Sequence, residues 1–196
     1  LPPPARGLKT DAPLHLVGPE YIISGSNMII RNGALSVRPG LSPVLTAAPS
    51  ANQVMGMIYY KDHTDTARLV VGTVLGQHEY TGGAAWADIT GGGLTGNASQ
   101  QIRFTVFKVS NATRLICTND KDAPQVYTGT GTFAALGGSP PIAKCITTAF
   151  QRVILGNVTV AGTRRSSSLW ISGFQDSTVW SSTNEVSLVD TGDSII

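Results

Sequence analysis

Apolar and polar residues alternate with a period of two along much of this chain, in short runs separated by glycine, proline and asparagine. Residues 102–108 (IRFTVFK) show the pattern most plainly: Ile102, Phe104 and Val106 alternate with Arg103 and Thr105. That is the signature of a half-buried strand. Shorter apolar runs at 68–73 (RLVVGT) and 114–118 (RLICT) read as buried strands. No window combines helical caps with a 3.6-residue period. Taken in order, 54–61, 68–73, 76–80 and 85–89 form one set of four strands, followed by the loop 91–99 (GGGLTGNAS). A second set is 102–108, 114–118, 125–128 and 132–136. A third comprises 144–150 and 153–157, a basic, serine-rich loop at 162–168 (GTRRSSS), and strands at 168–172 and 178–181.

The sets are organised around residues 118–141 (TNDKDAPQVYTGTGTFAALGGSPP), a strand, a glycine turn, a second short strand and a Gly-Gly-Ser-Pro-Pro exit. Similar phrases stand at 78–92 (HEYTGGAAWADITGG) and, more loosely, at 169–182 (LWISGFQDSTVWSS). Trp86, Phe133 and Trp180 recur at intervals of about 47 residues, in the range of propeller blades. The match of Arg68-Leu69 with Arg114-Leu115 reinforces the repeat. The prediction is therefore an all-β chain of blade-like antiparallel four-stranded units (about 54–92, 102–138 and 144–182), a partial or incomplete β-propeller within 46–196. Closed propellers typically hold four to eight blades, so three units predict either part of a longer protein or an open array. Residues 190–196 read as a turn leading into another strand.

Two segments precede the units. Residues 1–20 carry Pro2, Pro3, Pro4, Pro13 and Pro19, a density that excludes helix and sheet interior. They predict an extended arm, lying on a neighbouring subunit or loosely docked. Residues 21–45 contain Asn32-Gly33 between apolar runs, a hairpin signal with strands at 28–31 and 34–38. Pro39-Gly40 ends the second strand.

Charge and composition narrow the function. The net charge of +2 over 196 residues gives no basis for nucleic acid or an anionic membrane as the main partner. No apolar run reaches the roughly 18 residues of a membrane span. The proline-rich start lacks the basic-then-apolar pattern of a signal peptide. Cys117 and Cys145, both in apolar strand-like runs, read as reduced, buried thiols. The sequons at Asn97, Asn111 and Asn157 matter only in a secreted eukaryotic setting.

Candidate chemistry is sparse. His15, His63 and His78 are scattered and read as surface or strand-edge residues. Asp120, Lys121 and Asp122 form a charged turn, read as solvated rather than as an acid–base pair. Asp88, Asp176, Asp190 and Asp193 sit at turns, where an aspartate bonds nearby backbone amides. The glycine-rich run 91–96 lacks the Gly-Lys-Ser/Thr of a phosphate loop, and no Gly-x-Ser-x-Gly elbow occurs. Residues 172–180 (SGFQDSTVW) only loosely match the aspartate box of sialidase-like propellers, itself a structural turn. Arg164-Arg165 is the one compact basic spot and reads as a solvated loop tip. No catalytic, cofactor-binding or metal-binding residue is expected.

Residues 27–40 (NMIIRNGALSVRPG) resemble the opening signature of tail proteins from tailed bacteriophages: an asparagine, a short strand, a glycine turn and an Arg-Pro-Gly close. The later phrases RLVVGT, EYTGGAAWADIT, RLICTNDKDAPQVYTGTGTFAALGG and SLWISGFQDSTVW follow that family's blade order, so the resemblance covers about 21–196. The third unit departs from the pattern in its enlarged Arg-Arg-Ser stretch. The resemblance implies a non-enzymatic β-propeller protein of the virion tail, similar to the nozzle or hub proteins of short-tailed phages. It implies a ring of copies of itself, usually a hexamer, below the adaptor and near a tail fibre or spike. Phage DNA would pass through without sequence-specific binding. Such a protein is made in the bacterial host cytoplasm and resides in the virion. The family brings no catalytic residues or cofactors. Alternative readings are a carbohydrate- or receptor-binding propeller, with Tyr59, Tyr60 and Trp170 stacking on sugars, and a glycosidase.

Overall fold

The computed structural model describes residues 16–17, 21, 28–31, 34–38, 48–82 and 85–188. The rest of the 1–20 arm, the Asn32-Gly33 and Pro39-Gly40 turns and the 190–196 segment lie outside the described residues. The chain divides into two compact units, Leu1–Val44 and Leu45–Ile196. In the first, strands β1 (Met28–Arg31) and β2 (Ala34–Val37) pair antiparallel with Arg31 opposite Ala34, the register of a two-residue hairpin turn.

The second unit holds three four-stranded antiparallel sheets, each an up-and-down meander in chain order. The first comprises β3 (Val54–Lys61), β4 (Ala67–Thr73), β5 (Gln77–Tyr80) and β6 (Trp86–Asp88). The second comprises β7 (Arg103–Val109), β8 (Ala112–Thr118), β9 (Gln125–Tyr127) and β10 (Ala134–Ala135). The third comprises β11 (Ile142–Ala149), β12 (Arg152–Val160), β13 (Thr163–Ile171) and β14 (Glu185–Ser187). The first strands lie side by side between sheets, β3 against β7 and β7 against β11.

Alternation within the strands builds the layers. In β8, Leu115 and Cys117 join Tyr60, Val70, Ile89, Leu94, Ile102, Tyr127 and Phe133 in a cluster between the first and second sheets. Ile116 points the other way and joins Phe107, Leu136 and Val153 between the second and third. The central strand of the middle sheet is thus apolar on both faces, which is why it reads as a continuous run rather than an alternation. A further cluster of Ala143, Leu155, Val158 and Trp170 belongs to the third sheet.

Three expectations are corrected. Residues 162–168 are not a loop. They are mostly the first half of β13, paired to β12 with Thr163 opposite Val160 and Arg164 opposite Thr159. The turn between them is Ala161-Gly162, both at positive φ (+47° and +79°), and the register shifts at Asn157 (φ +54°), where residues 166–168 of β13 stand opposite one residue of β12. The stretch TRRSS carries no apolar alternation, so the periodicity signal is silent there even though the backbone pairs. The fourth strand of the third sheet is β14, not 178–181. Last, the three evenly spaced aromatics are not equivalent. Trp86 lies on β6 against Tyr80, with ring centroids 5.7 Å apart. Phe133 precedes β10, is buried, and stacks on Tyr127 at 5.3 Å. Trp180 follows β13 and donates its indole N–H to the Ser177 carbonyl at 2.9 Å. The repeat is carried instead by the second strands, Arg68-Leu69-Val70-Val71, Arg114-Leu115-Ile116-Cys117 and Arg152-Val153-Ile154-Leu155.

Both cysteines are free thiols, Cys117 buried and Cys145 half-buried. Burial pushes the Cys117 thiol up to about 12. Titration of the folded chain with a thiol-specific reagent at pH 8 is expected to modify Cys145 and spare Cys117 until denaturant is added. Equal rates at the two thiols would contradict this.

Candidate functional site

The densest polar constellation is built by the first sheet and sealed by the second. Arg68, at the start of β4, donates through Nε to Asp62 (2.9 Å) and through Nη1 to Glu79 on β5 (2.6 Å). Tyr127 on β9 donates its hydroxyl to the second Glu79 oxygen at 2.5 Å. The polar period of β4 and β5 places Arg68 and Glu79 on the same face as Val70, toward the second sheet. Burial works against the Arg68 charge, but its hydrogen bonds to Asp62 and Glu79 overcome this and hold its pKa above the ordinary value. Burial raises the Tyr127 phenol, and its bond to Glu79 adds to the shift; burial likewise pushes Tyr60 up to about 12. Arg68 is thereby held charged, and Tyr127 and Tyr60 protonated, near neutrality. The cluster orients no exposed nucleophile. Chemically it is a buried ionic clamp between sheets.

Beside it runs a buried amide pair. Gln77 donates to the Gln125 side-chain oxygen at 2.7 Å, across the same layer. Sequence reading missed both features. The signal available was a buried-strand register carrying Gln77, Glu79 and Gln125 where apolar residues are the rule.

The second and third sheets are joined by residues that were read separately. Asp120, from the Asp-Lys-Asp turn, forms an ion pair with Arg164. Arg164 also donates to the Asn157 side chain at 2.5 Å. Asp122 accepts the Thr95 backbone N–H at 2.8 Å and the Asn119 amide at 2.7 Å. Burial opposes the charge on Asp122, and these bonds outweigh it and hold its pKa below the usual range. The turn is therefore a clamp rather than the solvated tip expected, because two loops and β13 converge on its carboxylates. Arg165 pairs with Glu185 at 2.5 Å. The two arginines are tied down, not free at a loop tip. They line an open groove of about 640 Å³ with Ser166, Ser167, Ser168, Ser182, Glu185 and Ser187.

His63 is exposed, as expected, but His78 is buried on β5, an inner strand of its sheet, and is neither a surface nor an edge residue. His15 lies outside the described residues. Of the aromatics nominated for sugar stacking, Tyr60 and Trp170 are core and Tyr59 is exposed. Among the described residues no three His, Cys, Asp or Glu side chains group as metal ligands.

Turn aspartates behave as their position predicts. Asp62, Asp88 and Asp176 each accept the backbone N–H of the threonine two residues on, at 2.9, 2.9 and 2.8 Å. Hydrogen bonds from Thr64, Thr90 and Thr178 respectively hold all three carboxylates below their ordinary range. A carboxylate whose folded pKa is depressed contributes stability above its unfolded value, about 4. That stability is lost as pH falls through the folded value. The melting temperature is therefore expected to hold from pH 7 to about 5 and fall steeply below about 4. Asp176→Asn should lower it at pH 7 and flatten the acid limb; an unchanged acid limb would contradict the assignment.

No family model matches the chain, and no curated protein matches it.

Proposed function

We propose that this chain is a structural component of the tail of a tailed bacteriophage, a ring-forming part of nozzle or hub type that lines or closes the DNA-ejection conduit. Its three sheets serve as blades of a β-propeller. The observation that carries the reading is the tandem order: three four-stranded meanders follow one another in the chain, with their first strands adjacent. Phrases resembling the tail family lie on those strands and their turns. The hairpin of the opening signature supports the reading too, since β1 and β2 fall on MIIR and ALSV.

The chemistry suits an assembly part. Polar side chains in the layers are spent on clamps between sheets, which gives rigid blades. A near-neutral chain lets DNA pass without retaining it. The role is non-enzymatic. Its partners are copies of itself, with a hexamer as the expected ring, and the adaptor and the fibre or spike as neighbours.

Native mass spectrometry and negative-stain microscopy of the full-length protein, alone and with tail proteins, provide the test. Rings are the expected result. Monomers under every condition, and absence of the protein from purified virions, would overturn it.

A further inference from the structure

Arg103 opens β7 and Lys144 lies near the start of β11, on first strands that run side by side. The Thr105 and Thr148 hydroxyls join these strands at 3.3 Å. Two residues back along β7, the Arg103 guanidinium donates to the Cys145 sulfur at 3.0 Å. Both Arg103 and Lys144 are half-buried. Among the described residues neither takes part in an ion pair, whereas Arg68, Arg164 and Arg165 all meet carboxylates. A thiol is a weak acceptor for a guanidinium. Two cations held close together and partly out of water each disfavour the other's charge. An oxyanion between them offsets that cost through charge-assisted hydrogen bonds.

The surroundings are shaped to hold one. Arg103 and Lys144 line a pocket of about 320 Å³ with Ser99, Gln100, Gln101 and Asp120. That is the small end of the range for ligand sites. No aromatic ring lines it, which disfavours a stacked base or an apolar guest.

Its walls are fixed by local bonds. In the loop before β7, Asn97 accepts the Ser99 N–H on its side chain at 2.8 Å and the Gln100 N–H on its carbonyl at 3.0 Å. The Gln100 side-chain oxygen accepts the Asn97 N–H at 2.9 Å, which leaves the Gln100 amide nitrogen to donate. On the other side the Asp120 N–H donates to the Ala143 carbonyl at 3.1 Å, next to Lys144. The Asp120 carboxylate is already bound by Arg164. Those two charges offset each other, so Arg103 and Lys144 set the sign of the pocket.

We propose that this pocket, where the second and third sheets meet, binds an oxyanion carried on a small polyhydroxylated molecule of sugar size: a sugar phosphate or a sugar acid. The guanidinium has five N–H donors in a planar fork, so its bond to Cys145 leaves others to grip two oxygens of the anion. Lys144 adds a point charge on the same group. Ser99 and the Gln100 and Gln101 amides supply donors and acceptors for hydroxyls. The site is separate from the tail reading and does not depend on it.

Isothermal titration calorimetry of the 196-residue chain at neutral pH and low salt tests this, with glucose 6-phosphate, glucuronate, inorganic phosphate and glucose as probes. At least one of the two anionic sugars should bind at millimolar concentration or below, more tightly than inorganic phosphate. Uncharged glucose should not bind measurably. Affinity should fall as sodium chloride is added. Lys144→Gln should weaken binding by about 10-fold or more, the loss of one hydrogen bond to a charged group. Arg103→Lys, which keeps the charge and loses the fork, should also weaken it. Lys108→Gln, at the exposed far end of β7, should leave affinity unchanged. Lys144 makes no side-chain bond among the described residues, so its variant keeps the fold, which circular dichroism checks. No binding of either anionic sugar, or binding equal in wild type and Lys144→Gln, overturns the proposal. Inorganic phosphate binding as tightly as both sugars overturns the sugar part. Glucuronate alone or glucose 6-phosphate alone identifies the anion as carboxylate or phosphate. Ring formation is measured independently, so either reading fails without the other.

Discussion

Gly91→Ala is expected to destabilise the folded chain by about 3 kcal/mol or more, read as a lower urea midpoint at unchanged slope. A Cβ at Gly91 would stand 1.5 Å from the Phe133 carbonyl oxygen. That atom is backbone, and it belongs to a residue held tightly. The Phe133 N–H donates to the Ile89 carbonyl at 2.8 Å, and its ring is buried against Tyr127. Nothing flexible is there to move, so the two sheets must part. Gly92 provides the control. A Cβ there meets nothing within 4 Å, and Gly92→Ala should leave stability unchanged or slightly raised, by at most about 1 kcal/mol. The same device recurs one sheet on, where a Cβ at Gly138 would stand 1.6 Å from the Thr178 carbonyl oxygen. Gly138→Ala should therefore be at least as damaging, because its φ of +78° is also unfavourable to alanine. Equal midpoints for the Gly91 and Gly92 variants would refute this account of how the sheets meet.

Arg68→Met is expected to cost about 3–5 kcal/mol at pH 7. The substitution keeps much of the side-chain volume but leaves Asp62 and Glu79, both buried, facing each other without a cation. It also removes the guanidinium that lies against Gly129. Adding Glu79→Gln to Arg68→Met should recover part of the loss, since one uncompensated charge is gone and Gln can still accept from Tyr127. Strict additivity of the two losses, measured by denaturant unfolding, would show that the pair does not act as a unit. By contrast, Lys61→Met breaks only the exposed pair with Asp65, at 3.0 Å, and should change stability by less than about 0.5 kcal/mol.

Most of the strands were legible because they lie where turn chemistry brackets an apolar run. The hairpin signal at Asn32-Gly33 places strands at 28–31 and 34–38, and they occur at Met28–Arg31 and Ala34–Val37. In the first sheet all four expected strands agree with the observed ones to within one or two residues. The pattern failed where side chains do not advertise their faces. Residues 163–165 are Thr, Arg and Arg, yet they pair with β12, because backbone hydrogen bonding needs no apolar side chain. Even spacing of Trp86, Phe133 and Trp180 misled for a related reason: the longer β12–β13 hairpin and the extra residues of β13 opposite Asn157 offset the third sheet.

The candidate site was less legible than the fold. Asp120 and Arg164 are 44 residues apart in the chain, and each alone resembles an ordinary solvated turn residue. Asp62, Arg68, Glu79 and Tyr127 come from three strands and a turn of two sheets. No local spacing announces that they converge.

Local chemistry along the chain settled which residues become strands, where the chain turns, and that three similar units follow one another. Period-two alternation, glycine and asparagine at positive φ, and aspartates that cap their own turns all act within a few residues. Which face of each strand is buried against which neighbour was decided only in three dimensions. So was the conversion of turn carboxylates and strand arginines into clamps, and of Gly91 and Gly138 into points of sheet contact. Those outcomes depend on groups tens of residues apart sharing one layer, and on the cost of burying a charge or a Cβ that has no room.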